Sequence, residues 1–199
     1  NIILNSEINI TQLKYKNLKI INNYFPKVDD LIVLNNHKLN LNYKDNNLSI
    51  NGEGQIQLNT EEVDEIKYFI NKKDKNLSID SELSLKNIVL EQQDFLKIFF
   101  PEINNKIYFK NQKLKINFKN NNLSFSGSGK FKVDKDFEEI NYFIEKKENK
   151  IKFNTNLNVK NTKFQINNIN YQKKDQSNMY LQINGELKNN KNLNINNFI

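Results

Sequence analysis

The sequence lacks cysteine, alanine, arginine and tryptophan, and it has only 2 prolines and 1 histidine. Without cysteine there can be no disulfide and no thiolate metal site. Without arginine the chain lacks the side chain that makes most bidentate contacts to bases and phosphates. Its net charge of +7 therefore does not indicate a nucleic-acid partner, since the lysines are scattered among 23 acidic residues as on a solvated surface.

Long apolar runs are also missing, and none approaches the roughly 18 to 20 residues that a membrane span requires. The chain begins at Asn1 instead of methionine. We therefore expect a fragment of a longer protein, with any targeting signal or membrane anchor outside this piece.

Groups able to carry out catalysis are scarce. His37 is the single histidine, and the equivalent position of the internal repeat described below holds Gln112, so a role as ligand or general base would be unique to one copy. The acidic run of Asp134, Asp136 and Glu138 lacks the glycine and the spaced oxygen ligands of a calcium loop. We predict a protein that is not an enzyme and that has no metal site and no cofactor.

An internal repeat of about 75 residues organises the chain. It pairs the two Phe-Pro dipeptides with each other and four of the glycines in two pairs. The matching segments are residues 6–10 with 81–85, 25–26 with 100–101, 48–54 with 123–129, and 66–70 with 140–144. The predicted copies are residues 1–80, 81–154 and a partial third copy at 155–199. In the third copy, residues 181–186 echo residues 48–53 early, and the Phe-Pro segment is missing.

Within each copy the apolar residues alternate with polar ones, which is the period of a half-buried strand. Leu41 and Tyr43 precede a short polar turn, and Leu48 and Ile50 follow it, as in a hairpin. Each copy is thus predicted to be a meander of five or six strands, with Gly52 and Gly54 marking a bulge or bend. Residues 92–100, before Pro101, show helical spacing instead. The predicted fold is all-β: an elongated, curved antiparallel sheet with a short helix or loop at each Phe-Pro segment.

The alternating pattern produces one apolar face, and its role has two interpretations. The face could pack against a second sheet, as in any sandwich. Alternatively, an open sheet could leave the face available to an apolar partner, because a large exposed patch must be covered by something. The pattern alone does not choose between these two.

The order of segments resembles one known family. A Phe-Pro segment is followed by a strand pair ending in Gly-x-Gly and then by an Ile-x-Tyr-Phe-Ile strand. A Leu-x-Val-Lys-Asn segment leads next to residues 170–174. This order resembles the AsmA-like superfamily, particularly its long periplasmic members, over most of the chain. The tryptophan often found near the proline there is replaced by Phe25 and Phe100.

The resemblance implies a repeating β-groove that serves as a passive conduit for phospholipid between the inner and outer membranes, in the periplasm, with an inner-membrane tether outside this piece. It carries over no catalytic residue. The expected partners are phospholipid acyl chains, contacted by one set of side chains. That set is Leu41, Tyr43, Leu48, Ile50, Ile116, Phe118, Leu123, Phe125, Tyr142, Ile144, Ile151, Phe153, Leu157 and Val159. The alternative is a cell-surface or adhesive β-repeat protein with a closed core and function in its loops.

Overall fold

A computed structural model describes residues 2–16, 31–58, 62–91, 96–97, 99–103, 106–174, 176–188 and 192–198. Most of these residues are in β-strands, so the predicted fold class is confirmed. The strands are β1 (Ile3–Lys16), β2 (Leu31–Lys44), β3 (Asn47–Gln57), β4 (Asp64–Lys73), β5 (Asn76–Glu91), β6 (Lys106–Lys119), β7 (Asn122–Lys132), β8 (Glu138–Lys147), β9 (Lys150–Val159), β10 (Gln165–Ile166), β11 (Tyr171–Gln172), β12 (Met179–Lys188) and β13 (Asn192–Phe198). A 3-10 helix, Asn167–Ile169, lies between β10 and β11.

The main sheet has 11 strands in the order β1-β2-β3-β4-β5-β6-β7-β8-β9-β12-β13, and β10 and β11 form a separate pair. Neighbours in the sheet are therefore almost always neighbours in sequence, which is the predicted meander. β1 and β13 stand at the two ends of this order, and each has one paired neighbour among the described residues.

The repeat is visible in the strands. β6, β7 and β8 have the same lengths as β2, β3 and β4, and they follow at the spacing of the sequence repeat. Five or six strands are predicted per copy, whereas the described residues form four in each repeat, β2 to β5 and β6 to β9. The residues around Leu77 and those around Leu83, read separately in the sequence, belong to the one strand β5. No turn forms at Asp80 and Ser81, which lie between them in the strand.

Asparagine and aspartate form the tight turns between strands. Asp45 and Asn46 join β2 to β3 with φ angles of 49° and 61°, and Asn120 and Asn121 join β6 to β7 with 50° and 61°. Two-residue hairpin turns need this left-handed conformation, and the short polar side chains of Asn and Asp tolerate it best after glycine. Part of the asparagine content is thus explained by turn geometry.

The third copy differs from the sequence alignment. β12 pairs directly with β9, with Leu181 opposite Leu157, just as β2 pairs with β1 and places Leu39 opposite Ile8. β12 is therefore the second strand of its copy, and the match of residues 181–186 to residues 48–53 is wrong. Short alternating strands resemble each other in sequence, so the local match is weak evidence. The connection between β9 and β12 is present, at residues 160–178, but it has no Phe-Pro dipeptide.

The predicted helix before Pro101 is described only in part. Leu96 and Lys97 form a 3-10 turn, and the backbone N–H of Phe100 donates to the carbonyl of Leu96 at 2.8 Å. Residues 92–95 and 98 lie outside the described residues, as does the other Phe-Pro dipeptide, Phe25-Pro26.

The chain divides into two compact units. Unit 1 consists of Asn1–Lys86 and Lys113–Phe125, and unit 2 of Asn87–Gln112 and Ser126–Ile199. Among the described residues, a cluster of packed core residues lies in unit 2. Its buried members are Phe100, Ile107, Phe131, Val133, Leu157, Val159, Phe164 and Leu181.

Candidate apolar binding face

Strand register places the predicted residues of β2 and β3 on one face of unit 1. Leu41 is paired with Ile50, and Tyr43 is paired with Leu48. Directly paired residues of antiparallel strands project to the same side of the sheet. The pairing continues from Ile50 to Ile70 of β4 and from there to Ile79 of β5. These residues therefore form one continuous row.

Polar contacts on the opposite side orient β6. Lys115 forms an ion pair with Glu82 at 3.0 Å, and Asn117 donates a hydrogen bond to Asp80. Asp80 and Glu82 alternate with Ile79 and Leu83, so they lie on the opposite side of β5. Ile116 and Phe118, which alternate with Lys115 and Asn117, must then share the apolar side.

Leu123 and Phe125 alternate with Ser124 on β7, after the same kind of two-residue turn that brings Tyr43 opposite Leu48. They complete the surface that we call the unit 1 apolar face. Its members are Leu4, Ile8, Leu39, Leu41, Tyr43, Leu48, Ile50, Ile66, Tyr68, Ile70, Ile79, Leu83, Ile116, Phe118, Leu123 and Phe125.

Most of the unit 1 apolar face is only half-buried. Leu41, Tyr43, Leu48 and Ile50 all have intermediate exposure. Every described residue of unit 1 belongs to a strand of this sheet or to a turn or short connection between strands, so those residues include no second layer over the face. The other side is polar, with cross-strand pairs such as Lys67 with Glu53, whose charged atoms are 3.6 Å apart. The sheet of unit 1 therefore has one apolar face and one polar face.

The predicted residues of unit 2 also share a side of their strands. Ile144 is paired with Phe153, and Tyr142 with Thr155, between β8 and β9. Ile151, Leu157 and Val159 alternate with Phe153 along β9 and complete the unit 2 apolar face, which continues onto β12 through the pair of Leu181 with Leu157. Tyr142, Ile144, Ile151 and Phe153 are half-buried.

Leu157 and Val159 differ from the rest of the predicted set because protein side chains already cover them. Val159 is 0% exposed and Leu157 is 5% exposed. Phe164, in the connection after β9, packs in the same cluster, with the rings of Phe100 and Phe164 edge to face at 5.5 Å. These two predicted residues are core residues in this structure, so we leave them out of the proposal below.

A buried carboxylate holds that connection in place. One oxygen of Glu138, at the start of β8, accepts hydrogen bonds from the backbone N–H groups of Lys160, Asn161 and Thr162 at 2.6 to 3.0 Å. The Lys173 ammonium, also buried, donates to the carbonyl of Lys160 at 2.5 Å. Sequence reasoning considered Glu138 only as part of an acidic run and missed this role. The alignment of Glu138 with Asp64 in the sequence repeat could have revealed this role.

Asp64, at the start of β4, also binds a backbone N–H group of a neighbouring segment. Its Oδ1 accepts a hydrogen bond from the backbone N–H of Lys86 at 2.8 Å. Burial raises the pKa of the Asp64 carboxyl, and the bond from Lys86 opposes this rise. The two acids therefore anchor the segments next to them. The described residues contain no group of three or more His, Cys, Asp or Glu placed to hold an ion.

His37 and Gln112 occupy equivalent buried positions, each 1% exposed. The imidazole Nε2 of His37 lies 2.9 Å from the carbonyl oxygen of Gln55, and its Nδ1 lies 3.4 Å from the hydroxyl of Tyr68. Gln112 makes the same contacts, since its Nε2 donates to the carbonyl of Lys130 at 2.9 Å and its Oε1 accepts from Tyr142 at 3.3 Å. Burial raises the pKa of the Tyr142 phenol to about 12.

The paired glycines make room for these groups. A Cβ added to Gly54 would lie 2.5 Å from the imidazole of His37, and one added to Gly127 would lie 2.5 Å from the Tyr142 hydroxyl. The predicted bulge exists, but it lies on β2, opposite Gly54, where the register shifts between Asn35 and Lys38. The glycines are thus required by close side-chain approach.

No family model, curated protein or solved structure matches the chain. Among the described residues, no helix has both the length and the apolar character needed to cross a membrane.

Proposed function

We propose that the unit 1 apolar face binds phospholipid acyl chains and that the chain contributes to a passive conduit for phospholipid between two membranes. The observation that supports this proposal is the half-exposed row of side chains through Leu41, Ile50 and Ile70, which has no second layer among the described residues of unit 1. An apolar surface of this extent needs an apolar occupant.

The energetic reason is the cost of exposing an acyl chain to water, about 0.8 kcal/mol for each methylene group. A tail lying along the face avoids that cost, while its head group stays in water. Motion along the face would be passive, since adjacent Leu, Ile and Phe side chains offer nearly equal contacts. A periplasmic location and an inner-membrane tether belong to the same proposal through the family resemblance.

Unit 2 supports the proposal less strongly. Tyr142, Ile144, Ile151 and Phe153 remain half-buried and are retained as contacts, but Leu157 and Val159 are not. The packed cluster around Phe164 also favours the second candidate, an interaction protein with a closed core and function in its loops.

Native mass spectrometry with lipid extraction separates the two candidates. We expect phospholipid to co-purify with the parent chain and to be lost from the Phe118→Asp, Phe125→Asp variant. The matched control is Asn122→Asp with Ser124→Asp, which adds the same charge to the polar side of β7 and should keep the lipid. A lipid-free parent, or equal lipid loss from both variants, would refute the proposed function.

A second measurement tests whether the acyl chains lie on the unit 1 apolar face. Because the chain has no tryptophan, Leu41→Trp introduces a single reporter on the apolar side, and Asn42→Trp introduces one on the polar side of the same strand. Phospholipid brominated in its acyl chains should quench the first reporter and not the second. Equal quenching would show non-specific association with the lipid.

A further inference from the structure

The outer edge of β1 is unlike the corresponding edges in the other two copies. Residues 81–85 of β5 and residues 155–159 of β9 are the repeat equivalents of residues 6–10 of β1. β5 has β4 on that side and β9 has β8, whereas β1 has no neighbour there among the described residues.

We call the edges of β5 and β9 that have this neighbour the filled edges. The strand register is the same at both of them. Tyr68 of β4 is opposite Ser81, and Tyr142 of β8 is opposite Thr155. Two residues further along, Ile66 is opposite Leu83 and Ile140 is opposite Leu157. The same arrangement therefore occurs twice, once within each unit.

Both filled edges also end in a carboxylate bound to backbone N–H groups. Asp64 accepts from Lys86, and Glu138 accepts from Lys160 and the two residues after it. The repeat equivalent of Lys86 and Lys160 in β1 is Thr11. In the described residues no side-chain oxygen is bonded to the Thr11 N–H.

Equivalent apolar side chains are more exposed at the outer edge of β1 than at the filled edges. Leu83 is 8% exposed and Leu157 is 5% exposed, but their equivalent in β1, Ile8, is 39% exposed. Leu4 and Tyr15 are exposed as well. On the side of β1 that carries Leu4 and Ile8, positions 4 to 10 are uncharged, and Lys14 and Lys16 follow further along. A long edge strand with apolar residues and no proline is a template for pairing with another strand.

We propose that the outer edge of β1 is a docking site for an antiparallel strand of the β4 type, supplied by another repeat unit. The partner places a tyrosine opposite Ser6, an aliphatic residue opposite Ile8 and a carboxylate on the backbone N–H of Thr11. The main-chain hydrogen bonds provide affinity, and the acid and the tyrosine set the register. This inference does not depend on lipid binding.

A peptide of residues 62–75, blocked at both ends and labelled with a fluorophore, tests the proposal against the full chain by fluorescence anisotropy. We expect saturable binding, with new hydrogen-exchange protection at alternate amides of β1. An Asp64→Ala peptide should bind about tenfold more weakly, because the Thr11 N–H would lose a charged acceptor. An Asp64→Asn peptide keeps an acceptor oxygen and should bind more tightly than the Asp64→Ala peptide.

The chain offers a matched pair of variants for the edge. Ile8→Lys puts a charge on the apolar side of β1, at an exposed position that tolerates it, and should abolish peptide binding. Asn5→Lys adds a lysine on the opposite side, where its equivalent Asp80 faces Phe69, and should leave binding unchanged. Protection at β13 in place of β1, equal binding of the Asp64→Ala and parent peptides, or unchanged binding to the Ile8→Lys chain would each overturn the proposal.

Discussion

Replacement of Gly127 by alanine tests whether the paired glycines exist to accommodate an aromatic ring. The added Cβ would lie 2.5 Å from the hydroxyl oxygen and 2.7 Å from a ring carbon of Tyr142. The ring cannot simply rotate away, because its hydroxyl also contacts Gln112 at 3.3 Å. Overpacking of this kind costs about 1–3 kcal/mol, so we expect Gly127→Ala to lower the free energy of unfolding by that amount.

The sign of the effect should reverse when the ring is removed. In a Tyr142→Ala background the added methyl group meets no ring, and alanine in a strand is favoured over glycine by about 0.5–1 kcal/mol. The coupling energy between the two positions is therefore expected to be about 1.5–4 kcal/mol. Urea unfolding of the parent, both single variants and the double variant measures it.

A control variant and the equivalent residue pair in the first repeat copy extend the test. Ser126→Ala, one residue away on the polar side, should change stability by less than about 0.5 kcal/mol. The equivalent pair, Gly52 and Tyr68, should show coupling of the same sign. If Gly127→Ala costs the same with and without the Tyr142 ring, the glycine is needed for its backbone and our explanation is wrong.

Three further predictions concern the polar side chains of Glu138, Glu186 and His37. Glu138→Ala leaves three backbone N–H groups without an acceptor and should lower the free energy of unfolding by about 3 kcal/mol, while Glu138→Gln should cost less; equal costs would argue against the anchoring role. Hydrogen bonds from Lys150 and a second lysine lower the pKa of Glu186 below 4.5, so this stabilisation is present above that value and is lost as the pH falls through the folded-state pKa. Lys150→Met should raise that pKa in an NMR titration, and no change would contradict the pairing. His37→Gln should cost less than about 1 kcal/mol, because Gln112 makes the same contacts, whereas a leucine there should cost about 1–3 kcal/mol in thermal or urea unfolding.

The shared apolar side could be predicted because the turns have a fixed length. Asp45 and Asn46 form a two-residue turn, and a turn of that length brings Tyr43 opposite Leu48. Once that pair is set, alternation assigns the other residues of both strands as far as the register shift between Asn35 and Lys38. The sequence contains both the alternation and the turn, so no long-range information is needed.

The strand count and the third copy could not be predicted, because both depend on contacts that a local pattern does not record. β5 runs through Ile79, Asp80 and Ser81 without a break, and nothing in those residues distinguishes one long strand from two short ones. β12 resembles β3 in sequence but has the position of β2, since strand neighbours are chosen by pairing across a connection of many residues.

Burial varies along the apolar faces of both units. Leu157 and Val159 in unit 2 and their repeat equivalents Leu83 and Leu85 in unit 1 are all buried, whereas Leu41 and Ile50 are half-buried. Leu157 and Val159 became core residues because the connection after β9 carries Phe164 and is held down by Glu138. In unit 1 the described residues supply no such cover to Leu41 or Ile50. Alternation determines which side chains share a face, and the connections determine whether that face is closed. The proposed lipid-binding role is therefore to be tested at Leu41 and Ile50, whose side chains are half-exposed.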